Sequence, residues 1–131
     1  MINENDFIKL PDIYNELERD RRRVDIMRSR LYSPKGLDTR DKVQSSRGAN
    51  MLAEIVIDLQ QKIDARTEAY EYMKAEADGL IQSKLQDEVA LIMRLRYIEA
   101  INWSEIAAML DYSPATLYRY RRQALDILFN D

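Results

Sequence analysis

The chain contains no cysteine and no histidine, and only three glycines and three prolines in 131 residues. Without cysteine there are no disulfides and no thiol nucleophile. Without histidine, triads built on an imidazole base and the commonest zinc sites are excluded. No uninterrupted apolar run is long enough to cross a bilayer. The first residues, "MINENDFIKL", lack the basic-then-apolar order of a secretory signal. A cytoplasmic protein with no membrane partner, no metal and no cofactor is expected. Enzymatic activity is not expected either. The carboxylates are spread over polar helix positions, no acidic pair falls at metal-site spacing in an apolar context, and no glycine-rich phosphate loop exists.

What the chain does have is helix-forming residues in long stretches without a breaker. Apolar residues make up 46% and charged residues 33% of it, a balance that fits neither a disordered tail nor a membrane protein. Ala, Leu, Glu, Gln, Lys, Arg and Met are plentiful, so the fold class is read as all-α. From about Pro11 to Tyr32, Leu10, Leu17, Val24 and Leu31 recur every seventh residue and define a heptad-like seam. Asn5 or Asp6 could cap an earlier turn, with Pro11 bending the helix. Residues 33–50 hold Pro34, Gly36 and Gly48 and read as a loop. A second helix from about Asn50 to Asp78 carries Leu52, Ile55, Leu59, Ile63, Tyr70 and Met73 on one stripe, with Gly79 ending or kinking it. Its length from Glu54 to Asp78 has three basic and seven acidic residues. A third helix is expected from Leu80 to Ile98. The domain reading is a long antiparallel helical region, 1–79, that oligomerises, followed by a helix-turn-helix DNA-binding domain, 80–131.

The stretch "NWSEIAAMLDYSPATLYRYRRQAL", Asn102 to Leu125, carries the functional signal. Asn102 and Glu105 have capping-box spacing, with Asn in the Ser/Thr place. A short helix from Trp103 to Leu110 follows, then the turn "DYS". Ser113 suits an N-cap and Pro114 a first helical position, because both fit an end whose N–H groups lack partners. A longer helix then runs to about Phe129, with Leu117, Tyr120, Ala124 and Leu128 inward and Leu125 at the edge. Small Ala107 allows a close helix crossing. The order is that of a helix-turn-helix. Its outward face would carry Ala115, Thr116, Tyr118, Arg119 and Arg122. From Ser113 to Leu125 there are three arginines and no acid, on a chain of net charge −3. A DNA reader needs a local basic face rather than a basic total. Arginine can pair bidentately with guanine, the methyls of Ala115 and Thr116 can touch a thymine methyl, and Ser113 and Tyr118 can bind phosphates.

These residues resemble a known pattern. "RYIEAINWSEIAAMLDYSPATLYRYRRQAL" looks like the region-4-type helix-turn-helix of bacterial sigma-70 factors, through Arg96-Tyr97, Glu105-Ile106-Ala107, Leu110, Ser113, Leu117 and Ala124-Leu125. The match covers about the last 45 residues. The whole chain resembles small phage and prophage transcriptional regulators of the ArpU/RinA type, carried by "SPKGLD" and "RYIEAINWSEIA". The resemblance implies a regulator that activates phage or prophage genes in a bacterial host cell. Pro114 and Ala115 stand where region-4 motifs often place charged DNA-contacting residues, which implies fewer direct base contacts here.

Each feature has a plainer reading beside the functional one. The C-terminal unit could be an ordinary helical hairpin, and Tyr118 an ordinary surface residue. Trp103 reads as a core or hinge residue. Arg121 reads as covering apolar surface or pairing with a carboxylate, with a phosphate contact as the alternative. Arg21-Arg22-Arg23, flanked by Asp20 and Asp25, reads as a solvated face with intrahelical ion pairs. The six methionines read as core filler. The leading function is a sequence-specific regulator that binds double-stranded DNA as a homo-oligomer, a homodimer joined through a coiled coil of the N-terminal helices. A small terminase-like packaging protein is one alternative. A sigma-like module that binds RNA polymerase without binding DNA is the other.

Overall fold

The computed structural model describes residues 1–32 and 42–130. Its elements are all helical, with no strand among the described residues: α1 (Glu4–Leu31), α2 (Lys42–Lys84), α3 (Asp87–Met93), a π-helical turn (Arg94–Ile98), α4 (Trp103–Leu110) and α5 (Pro114–Phe129). None of the described helices is long and apolar enough to cross a membrane.

Helix boundaries differ from the sequence reading at three places. α1 starts earlier than Pro11: Asn3, rather than Asn5 or Asp6, is its cap, accepting the Asp6 N–H through Oδ1 at 2.8 Å. The helix continues through buried Pro11. Of the expected loop 33–50, residues 33–41 lie outside the described residues and 42–50 are already the start of α2. Gly48 and Gly79 both stay inside that helix, so Gly79 does not end it. A mid-helix glycine costs about 1 kcal/mol relative to alanine, which a helix of 43 residues tolerates. The break comes instead at Leu85–Gln86, where Gln86 is extended and Asp87 takes a φ of 56°. The helix expected over Leu80–Ile98 is therefore the end of α2, then α3 and the π turn.

The chain divides into two compact units, 16–68 and 1–15 with 69–131. The expected boundary at residue 79 is not where contacts separate. Phe7 lies 4.7 Å from Tyr97 and 5.5 Å from Phe129, ring centre to ring centre. The start of α1 therefore belongs with the C-terminal helices.

In the 16–68 unit, α1 and α2 run antiparallel around Val24, Val56 and Ile63, with Met27, Leu31 and Leu59 packed beside them. Arg21 donates to Thr67 Oγ1 at 3.0 Å, and Arg28 to Gln60 Oε1 at 2.7 Å. Seven residues forward on α1 match seven backward on α2, so the heptad seam is a real interhelical register. Arg66 clamps the same pair from α2, bonding Glu16 at 3.0 Å and Asp20 at 2.8 Å. Arg21 also pairs with Glu18, and Arg23 approaches Asp20 at 4.0 Å.

The expected oligomer seam does not stand open. Leu10 and Leu17 are 0% exposed and Val24 is 1%. Those residues are satisfied inside one chain. Ile55, grouped with them in the sequence, is exposed, as are Ile26, Met51 and Ile57. Met109 is also exposed rather than core filler, whereas Met93 is fully buried.

In the other unit, Ile92 of α3, Ile106 of α4 and Leu117 of α5 meet at one centre. Leu95, Ile101, Trp103, Ala107, Leu110, Tyr112 and Tyr120 surround them. One fully buried branched or long aliphatic side chain from each short helix fixes all three at once.

Candidate nucleic-acid interface

The site begins with two caps. Asn102 Oδ1 accepts the Glu105 N–H at 2.9 Å and starts α4. Ser113 Oγ accepts the Thr116 N–H at 3.2 Å and starts α5, with Pro114 as its first residue. Between them lies a three-residue turn. Asp111 closes α4 in the left-handed region at φ 57°, a conformation a short polar side chain tolerates better than most. The Tyr112 N–H returns to the Ala107 carbonyl at 3.1 Å. The Tyr112 hydroxyl donates to Glu88 of α3 at 2.9 Å, which ties the turn down. That bond to a carboxylate, with burial and the Glu88 charge, raises the phenol above its usual 10.0.

α5 buries Leu117, Ala124, Leu125 and Leu128. Opposite them, Ala115, Tyr118, Arg119 and Arg122 are exposed. The Arg122 guanidinium lies 5.0 Å from the centre of the Tyr118 ring. As hydrogen-bonding partner and as positive charge, it holds the Tyr118 hydroxyl below the usual phenol range. Arg119 has no hydrogen bond or ion pair among the described residues, so its full donor fork faces solvent. The face ends at Asp126, one helical turn beyond Arg122, which accepts a bond from Asn130 at 2.9 Å.

The six residues singled out in the sequence thus fall into two groups. Ala115, Tyr118, Arg119 and Arg122 form one exposed strip. Ser113 and Thr116 bond each other, hydroxyl to hydroxyl at 2.9 Å, as part of the cap. Thr116 is half-buried. Their oxygens are engaged locally before any partner arrives.

Arg121 is different from its neighbours. Its Nε donates to the buried Tyr97 hydroxyl at 2.9 Å. It pairs with a phenol rather than a carboxylate. Trp103 is half-buried, edge-on to Tyr97 at 6.2 Å, with the Arg96 guanidinium 5.6 Å from its ring centre. Sequence reasoning took Arg96 and Tyr97 only as letters of a motif. The contact of Arg96 with Trp103, seven residues further on, has no local signal in the sequence.

Comparison with protein-family models, with curated proteins and with solved structures finds no match.

Proposed function

We propose that this protein is a sequence-specific transcription regulator that binds double-stranded DNA, with α5 as the recognition helix. The observation that carries the reading is the exposed strip of α5, where Tyr118, Arg119 and Arg122 project from a helix with no acid between Ser113 and Leu125. The helix is fixed by its cap and its buried opposite face, so the strip is presented by a rigid element. Arg119 and Arg122 would reach base edges, Tyr118 and the Ala115 N–H at the start of α5 would reach phosphates, and the Ala115 methyl would meet a thymine methyl. Ser113 and Thr116 would act first as positioning residues. The resemblance to ArpU/RinA-type regulators extends the proposal to activation of phage or prophage genes in the host cytoplasm.

Modules of this size usually bind two half-sites as a symmetric dimer. A homodimer is part of the proposal, with exposed Ile26, Met51 and Ile55 of the 16–68 unit as its contact surface in place of the buried heptad seam. Ile55→Glu should then dissociate the dimer in light scattering without unfolding it. Leu17→Glu should unfold the hairpin instead. Footprinting on the surrounding genomic DNA tests the central reading: a protected site of defined sequence supports it, and uniform protection contradicts it. A second reading, contact with RNA polymerase, is favoured by the acidic surface of α2 from Glu54 to Asp78. A polymerase pull-down with and without promoter DNA separates the two.

A further inference from the structure

A groove of about 500 Å³ lies beside the first turns of α4 and α5. Its volume is that of ordinary small-molecule sites. Its apolar surface comes from Ile8 of α1, Leu117 and Trp103. Two arginines line it, Arg96 and Arg121, against one acid, the exposed Asp12. The lining therefore carries a net positive charge in a mostly apolar setting.

Both guanidiniums have unused donors. Arg96 gives Nη1 to the Ile101 carbonyl at 3.2 Å, but its Nε is buried and has no partner. Arg121 gives Nε to Tyr97, and among the described residues its terminal nitrogens have none. A buried donor without a partner is costly. Arg96 and Tyr97 also sit on the π turn, which closes with the Glu99 N–H to the Arg94 carbonyl at 2.9 Å. Single π turns within α-helices are rare and concentrate at functional sites.

We propose that this groove binds a small molecule with a flat apolar body and one carboxylate. The body packs against Trp103 and Leu117. The carboxylate pairs with Arg96 and Arg121, whose planar forks match its two oxygens better than they match a point charge. A single negative charge also complements the lining once Asp12 is counted. The proposal does not depend on α5 reading DNA, and its test uses none.

Trp103 is the only tryptophan, so its emission reports on the groove directly. Phenylacetate and 3-phenylpropanoate are titrated against the full-length protein, beside phenylacetamide, acetate and inorganic phosphate. The expected result is a saturable change with the two aryl acids and at least tenfold weaker binding of the amide. Acetate and phosphate should give no saturable change. Arg121→Gln keeps a donor for Tyr97 and should weaken the acids at least tenfold. Ser104→Phe, from the exposed start of α4, should fill the groove and abolish the response. Circular dichroism checks both variants for folding. Amide binding equal to the acid, or no saturable change at all, overturns the proposal. So does an equal response to phosphate, which would make the groove a seat for a nucleic-acid backbone. An undiminished response in folded Arg121→Gln and Ser104→Phe would place the ligand elsewhere.

Discussion

Between Glu16 and Glu68, Val24, Val56 and Ile63 form the middle of a two-helix seam, and Arg21, Arg28 and Arg66 tie its edges. In residues 1–15 and 69–131, Ile92, Ile106 and Leu117 bring three short helices to one centre, and side-chain caps fix the helix ends. Two long helices can register themselves through a repeat of seven residues. Helices as short as α4, with 8 residues, cannot nucleate alone. They need a cap at the start, a turn locked by Asp111 and Tyr112, and a shared core. The first design leaves edges for polar ties. The second leaves one whole face of α5 free for a partner.

The two units should respond most strongly, and most differently, to substitutions in their cores. Ile106→Ala and Ile63→Ala should each cost about 2–5 kcal/mol, the usual range for emptying a buried aliphatic site. Hydrogen exchange should show protection lost in α3, α4 and α5 for the first, and in the paired parts of α1 and α2 for the second. Uniform loss in both would mean that the two units do not open separately.

Overpacking should come next. Ala107 lies against the Ile92–Ile106–Leu117 centre, and Ala107→Leu should cost about 1–3 kcal/mol in thermal unfolding. An unchanged melting temperature would mean that the crossing of α4 and α5 has room to spare.

Caps should follow. Ser113→Ala removes the acceptor for Thr116 N–H and should cost about 0.5–2 kcal/mol. Arg66→Ala in the hairpin should cost less, about 0–1 kcal/mol, because its pairs with Glu16 and Asp20 are solvent-exposed. Denaturation at low and high salt checks the contrast: the Arg66 effect should shrink with salt and the Ser113 effect should not.

The smallest effect belongs to Tyr112. Its raised pKa means that the folded state favours the protonated phenol, held by Glu88. The contribution is therefore present below the unfolded pKa and disappears as pH rises through the folded one. Tyr112→Phe should lose a slight stability advantage at neutral pH and none at strongly alkaline pH, read from paired unfolding curves.

Local features were legible in the sequence. The caps at Asn102 and Ser113, and Pro114 as first residue of α5, depend on neighbours within one turn, and the helices start there. Helical spacing alone placed Leu117, Ala124 and Leu128 inward, but it set Leu125 at the edge and Tyr120 inside, whereas Leu125 is buried and Tyr120 half-buried. What could not be read depends on distant partners. Phe7 lay outside the heptad seam, and only its packing with Tyr97 and Phe129 shows where the first residues belong. Gly48 and Gly79 look like breakers, yet both stand exposed inside α2, which runs on past them. Helical spacing already set Arg121 apart from Arg119 and Arg122, but its partner, the Tyr97 hydroxyl, lies 24 residues away and could not be read.

The proposed role of α5 is to read DNA through its exposed strip. The direct measurement is fluorescence anisotropy on the footprinted duplex for wild type, Arg119→Ala, Arg122→Ala and Arg22→Ala, all at one salt concentration. The account predicts losses of about 1–3 kcal/mol for each of the first two substitutions, unchanged melting temperatures, and little effect from Arg22, which is exposed on α1. Equal weakening by all three substitutions, or none by Arg119→Ala and Arg122→Ala, would contradict it.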